Sequence, residues 1–141
     1  MSALVEAWQA ALAAEQRAYF GYGLLGPWTS GARADRARTD LAAHADLRDA
    51  TATALQAEGV RPQAPAADYQ LDRVTGAASA VALAVSLEDG CAQAWRYLYS
   101  VATAASGKAA RMARRAAQQA LTDSAVRATE WRGTTVPFPG I

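Results

Sequence analysis

Four residues have the types and spacing to do chemistry together: Glu15, His44, Glu88 and Asp123. Each falls in line with the apolar positions of a different helical stripe, where a charged side chain is costly unless something answers its charge. Three carboxylates and one imidazole could hold a single divalent Fe, Mn or Zn ion, because such donor sets suit first-row metals. A metal-free network answers the charge as well. Arg48 lies one turn beyond His44 on the same stripe, and it or a protonated His44 can pair with Glu15 or Glu88. The expected arrangement is this polar layer with Arg48 as partner and no cofactor; the alternative is a mononuclear metal site. Asp123 is the member most easily read as a solvated helix residue.

The elements that must position these residues are all helical. Alanine is abundant, residues with β preference are scattered, and apolar positions recur at three and four. A first helix over about 3–26 is capped by Ser2 and carries Leu4, Trp8, Ala11, Leu12, Glu15, Tyr19 and Tyr22 on one face. Gly21 and Gly23 lie in its last turns, where each costs about 1 kcal/mol relative to Ala unless a close helix neighbour compensates. A second helix over about 31–58 carries Ala34, Ala37, Leu41, His44, Arg48, Thr51 and Leu55 and stops at Gly59. Pro62, Pro65 and Gly76 break the pattern over 60–76, a connection too long for a hairpin. A third helix over about 77–105 carries Val81, Val85, Glu88, Cys91, Trp95 and Leu98. A fourth over about 108–132 shows two competing stripes: Met112, Ala116, Gln119, Asp123 and Val126, or Leu121, Ala125, Ala128 and Trp131. In the tail over 133–141, Val136 and Phe138 are expected to pack down.

Two short turns and one long connection imply two antiparallel hairpins joined by a crossover. The second helix spans roughly 42 Å at about 1.5 Å per residue, and the connection reaches about 56 Å when extended. The second and third helices can therefore run parallel. Residues equidistant from a hairpin turn share a height. Glu15 and His44 are symmetric about a point between Thr29 and Ser30, and Glu88 and Asp123 about a point between Ala105 and Ser106. All four fall in one mid-bundle layer, while Trp8, Thr51, Trp95 and Ala116 share a height about two turns away.

Composition narrows the function classes. The 141 residues are 52% hydrophobic and 19% charged, which suits one globular domain with a full core. A net charge of +1 supplies no field to draw nucleic acid or an anionic membrane. Cys91 is the single cysteine, which excludes an internal disulfide and suits a reducing compartment. No apolar run reaches signal or membrane-span length, so a cytoplasmic location is expected. There is no Gly-rich phosphate loop, no CxxC and no Ser-His-Asp order. Tyr19 and Tyr22 read as core aromatics with hydroxyls reaching the surface, the tryptophans as core or interface residues, and Cys91 as a buried inert thiol.

The segments AAEQRAYFGYGLLG, HADLRDA, DYQLDRVTGAASA, LAVSLED and ATEWRGTTVPFPGI, in that order, resemble the ferritin-like superfamily and within it the small uncharacterised domain family DUF4439. The resemblance covers nearly the whole chain and implies an all-α ferritin-like four-helix bundle. Ferritin-like di-iron proteins supply a Glu from each of two helices and a Glu-x-x-His motif from each of the other two. By that resemblance Glu15 matches the first-helix Glu, His44 the second-helix His and Glu88 the third-helix Glu. The departures are larger: Leu41 stands where the second-helix Glu belongs, Gln119 and Thr122 where a fourth-helix motif would fall, and Asp123 is one position off. His44 is the sole histidine, so a complete di-iron centre is not expected. The expected function is that of a degenerate, non-catalytic member acting by self-association as a homodimer. The alternative is a mononuclear metal-binding protein or metal-dependent oxidoreductase using Glu15, His44 and Glu88.

Overall fold

The computed structural model describes residues 2–133. Four α-helices make up the fold: α1 (Ala3–Leu25), α2 (Gly31–Ala57), α3 (Ala77–Ala104) and α4 (Lys108–Arg132), with a 3-10 turn Gly26–Trp28 between the first two. No strand occurs among the described residues. The Ser2 hydroxyl caps α1 by accepting the Val5 amide at 3.2 Å. Gly59, with φ +72°, takes the left-handed conformation that ends α2 cheaply. The expected packing of Val136 and Phe138 lies outside the described residues.

Side-chain contacts fix the topology. Trp8 meets Trp95 edge to face at 6.0 Å, whereas Gly21, near the end of α1, meets Leu87, earlier in α3. So α1 and α3 are antiparallel, and α2 and α3 run parallel. Trp131 at the end of α4 reaches Asp40 near the start of α2, and Glu130 pairs with Arg36. The crossover lies along α1. Gln9 bonds the Arg61 carbonyl and the Gln63 amide, Gln16 bonds the Gln63 carbonyl at 2.9 Å, and Tyr69 packs on Phe20 at 5.1 Å. The backbones of α1 and α2, α1 and α3, and α3 and α4 approach closely; α2 and α4 are held further apart.

The core is built on Leu12, Tyr22, Leu25, Leu55, Leu83, Leu87, Trp95 and Leu98, all 2% exposed or less. The buried face of α4 shares Ala128 and Trp131 with the second of the two stripes expected of it and otherwise follows neither. It is Ala110, Ala113, Ala117, Ala120, Ser124, Ala128 and Trp131, while Met112 and Val126 are 62% and 51% exposed. The small residues allow α4 to sit close to α3, with Trp131 the large side chain among them, while Met112 and Val126 are left outside.

The two glycines of α1 serve different ends. A methyl group at Gly21 would overlap the buried Leu87 side chain, whereas one at Gly23 meets nothing within 4 Å. Gly21→Ala is therefore expected to destabilise by about 1–3 kcal/mol through overpacking. Gly23→Ala is expected to be neutral or to stabilise by up to about 1 kcal/mol. Urea unfolding of both variants measures the contrast, and equal effects would contradict the close approach of α1 to α3.

Candidate functional site

The mid-bundle layer is assembled from all four helices. Glu15 of α1, His44 of α2 and Glu88 of α3 are each 0% exposed. Glu15 Oε2 faces His44 Nδ1 at 2.5 Å, and Glu88 Oε2 faces His44 Nε2 at 2.7 Å. With both carboxyl groups ionised each can only accept, and His44 then donates from both ring nitrogens as an imidazolium. Trp95 donates its indole N–H to Glu15 Oε1 at 2.8 Å. Arg127 donates from Nε to Glu88 Oε1 at 2.9 Å and from Nη2 to the Ser124 hydroxyl at 3.3 Å. The Tyr22 hydroxyl donates to Glu88 Oε2 at 2.5 Å, and its ring stacks on His44 with centroids 5.3 Å apart. Next to this lies Asp40, which accepts the Trp131 indole N–H at 2.8 Å.

The electrostatics agree with the hydrogen bonding. Burial works against a charged His44, but its hydrogen bonds to Glu15 and Glu88 and their charges outweigh this and raise its pKa to about 9. Burial pushes Glu88 up, and His44, Arg127 and Tyr22 together bring it below the ordinary carboxylate value. Tyr22 is held protonated by burial and by the neighbouring Glu88 charge. Asp40 is raised by burial, partly offset by the Trp131 hydrogen bond. Arg127 and His44 thus face Glu15 and Glu88, two cations against two glutamates.

Three of the four residues singled out in the sequence, Glu15, His44 and Glu88, come together in this layer. Asp123 does not. It is one position from Ser124 but on the outer side of α4, where it accepts from Gln119 at 3.0 Å. Arg48 is also elsewhere: its guanidinium lies 4.6 Å over the Tyr19 ring and pairs with Asp49 at 2.9 Å. The arginine that answers the buried charge is Arg127, from the helix whose face the sequence left ambiguous. Tyr22 departs from expectation too, since it is 1% exposed and its hydroxyl turns inward to Glu88, while Tyr19 is 40% exposed. Asp40 was missed although it lies one turn before His44; Leu41, the more apolar neighbour, drew the stripe to itself. Leu41 instead lines a cavity of about 310 Å³ with Tyr22, Gly23, Ala34 and Ala37.

The fold and this layer define the class of protein: an all-α four-helix bundle of ferritin-like form. At TM-score 0.81 and 13% identity, the chain resembles a ferritin-like, diiron-carboxylate protein from Bacillus anthracis, over 94% of this chain and 98% of that one. It also resembles a conserved hypothetical protein, rv2844, from Mycobacterium tuberculosis, at TM-score 0.84 and 36% identity, over 94% and 96% of the two chains. The chain belongs to the family described as Domain of unknown function (DUF4439), whose family model matches residues 7–141. No curated protein matches it. No helix is long and apolar enough to cross a membrane among the described residues.

The fold class raises the question of a di-iron centre, and the donor set does not fit one. A Glu-x-x-His pair on α4 would project into the layer, but the residues there at that spacing are Ser124 and Arg127, and not Gln119 and Thr122, which are exposed. A guanidinium cannot ligate, and its charge repels a metal. Among the described residues no buried side-chain nitrogen or oxygen lacks a hydrogen-bond partner, so no donor stands waiting for an ion. A smaller set, Glu15, His44 and Cys91, does have ligand atoms within 4.8 Å of one another. Burial and the Glu15 and Glu88 charges push the Cys91 thiol up, and it donates to the Ala14 carbonyl at 3.5 Å.

Proposed function

We propose that this chain is a degenerate, non-catalytic ferritin-like bundle that acts by association, most simply as a homodimer in the cytoplasm. The observation that carries the reading is the Arg127 guanidinium on Glu88, which with the doubly protonated His44 supplies the positive charge that ions would otherwise bring. With its carboxylates answered from within, the layer supports the bundle and leaves function to the surface. There Leu24, Trp28, Met112 and Val126 are each at least 46% exposed. The net charge of +1 argues against nucleic acid and anionic membranes as partners.

A second reading, a mononuclear Fe, Mn or Zn protein or a metal-dependent oxidoreductase using Glu15, His44 and Glu88, is favoured by one observation. Cys91 brings a thiol to the Glu15–His44 pair, completing a ligand set suited to a borderline divalent ion. The diiron-carboxylate relative adds precedent for metal in this fold. Metal analysis separates the readings: protein purified without chelator, then loaded anaerobically with Fe and Mn, is expected to hold no stoichiometric metal and to sediment as a dimer. Stoichiometric metal that disappears in His44→Ala would establish the second reading, and a monomer at all concentrations would remove the dimer.

A further inference from the structure

We infer that the open face between α2 and α4 is where a second copy of this chain docks, with α4 of each protomer lying against α2 of the other about a two-fold axis parallel to the bundle. The inference rests on the association reading above and adds to it the face, the orientation and the contacts.

The charges at one end of this face run against helix stability. Trp131 meets Asp40 and Glu130 meets Arg36, so α2 and α4 are antiparallel, and the end of α2 lies beside the start of α4. A helix dipole favours acids in the first turn and cations in the last. Here α4 begins with Lys108 and Arg111 and holds no acid before Asp123, while α2 holds no cation after Arg48 and is capped by Glu58. The dipoles deepen both charges, leaving a positive corner on α4 beside a negative corner on α2. Lys108, Arg115, Asp46 and Glu58 are exposed and take part in no ion pair among the described residues. At the other end of the face the chain closes the gap itself, with Arg36 on Glu130; along the rest α2 and α4 stay apart.

The Arg36–Glu130 pair also sets a common ruler. Glu58 and Lys108 each lie 22 residues from it, Ala54 and Met112 each 18, and Ala50 and Ala116 each 14. Both helices rise by the same amount per residue, so each couple shares a height. A two-fold axis parallel to the bundle preserves heights and sets each α4 against the other protomer's α2. Lys108 then meets Glu58, Met112 meets Ala54 and Ala116 meets Ala50, every contact being made twice. Met112, 62% exposed in the single chain, gains a bed of alanines, and Arg115 reaches toward Asp46. Because each protomer brings one corner of each sign, the face is its own complement. Helices of 27 and 25 residues present about 38 by 20 Å, which matches the roughly 800 Å² that each partner of a stable complex buries.

Sedimentation and native mass spectrometry of the full chain test this with two charge reversals. One variant carries Lys108→Glu with Arg115→Glu, which makes both sides of the face acidic. The other carries Asp46→Lys with Glu58→Lys, which makes both basic. Each alone is expected to dimerise at least about a hundredfold more weakly than the native chain, since like charges then meet in both halves of the contact. Mixed together, they should form a dimer holding one of each at close to native affinity. All four side chains are exposed, and the changes at Lys108 and Glu58 go in the sense the helix dipoles favour, so the helices are retained, as circular dichroism checks. Met112→Glu, at the centre of the contact, reads out the same weakening should a reversal fail to fold. A native dimer that these variants leave intact, or a mixture that stays monomeric, would overturn this face and leave the association reading standing. A native chain that is monomeric at every concentration would overturn that reading and this inference together.

Discussion

His44→Leu is expected to lower the unfolding free energy by about 3–5 kcal/mol, the range seen when one partner of a buried ion cluster is removed. The volume of leucine limits cavity loss, so the cost is chiefly electrostatic. Glu88 would keep Arg127 at 2.9 Å and the Tyr22 hydroxyl at 2.5 Å. Glu15 would keep only neutral partners, the Trp95 indole at 2.8 Å and the Cys91 thiol, and would face Glu88 across the space His44 filled. Adding Glu15→Gln to His44→Leu should therefore recover a large part of the loss, since the amide oxygen still accepts from Trp95 and carries no charge. Urea unfolding of the two single variants and the double closes the cycle. A double variant as unstable as the sum of the singles would show that Glu15 and His44 do not act as a pair.

Stability should also fall as pH rises from about 6.5 to about 9, by roughly 3 kcal/mol at about 1.4 kcal/mol per pKa unit. The sign comes from a folded-state value raised above the unfolded one. Below about 6.5 both states hold the His44 proton and the full contribution is present. Between the two values the unfolded chain has released the proton while the folded chain retains it, so each step up in pH favours unfolding. Facing His44 are Glu15 and Tyr22 from α1 and Glu88 from α3, with Arg127 of α4 behind Glu88. Cys91 and Tyr22, also raised, add losses of the same sign only from their ordinary values of 9.0 and 10.0 upward. On the acid side the lowered Glu88 acts oppositely, its contribution being lost as pH falls through its folded-state value. Unfolding free energies measured from pH 6 to 9 should show the slope in the native chain and lose it in His44→Leu. A flat native profile would mean that His44 is neutral in the folded state.

The bundle was legible in the sequence where large apolar residues mark a face. Trp8 and Leu12 on α1, and Trp95 and Leu98 on α3, are buried, and on the same lines Glu15 and Glu88 stood out as charges. Counting from the first turn placed His44 at the height of Glu15. The failures share a physical origin. On α4 alanine occurs on every side, so the buried stripe carried no more apolar signal than the exposed one, and Met112 and Val126 pointed the wrong way. Arg127 escaped because periodicity counts arginine as solvated; its Cα lies at the edge of the buried face, and only its long side chain brings the guanidinium inward. Arg48 had the more suggestive position, on the stripe of His44, yet the Tyr19 ring and Asp49 hold it outside. Asp40 was hidden by its neighbour Leu41, although its carboxylate accepts from Trp131 on α4.

The pairing of charges by hairpin bears on how the chain assembles. Glu15 and His44 belong to α1 and α2, and Glu88 and Arg127 to α3 and α4, so each half of the folded molecule contains an ion pair of its own. What crosses between them is donated to carboxylates already accompanied: His44 and Tyr22 to Glu88, and Trp95 to Glu15. The docking of two hairpins, which must wait for the long crossover to close, therefore transfers no net glutamate, histidine or arginine charge out of water. Each buried glutamate thus has a cation within its own hairpin, and the contacts that depend on closing the long loop do not have to supply the counter-charge.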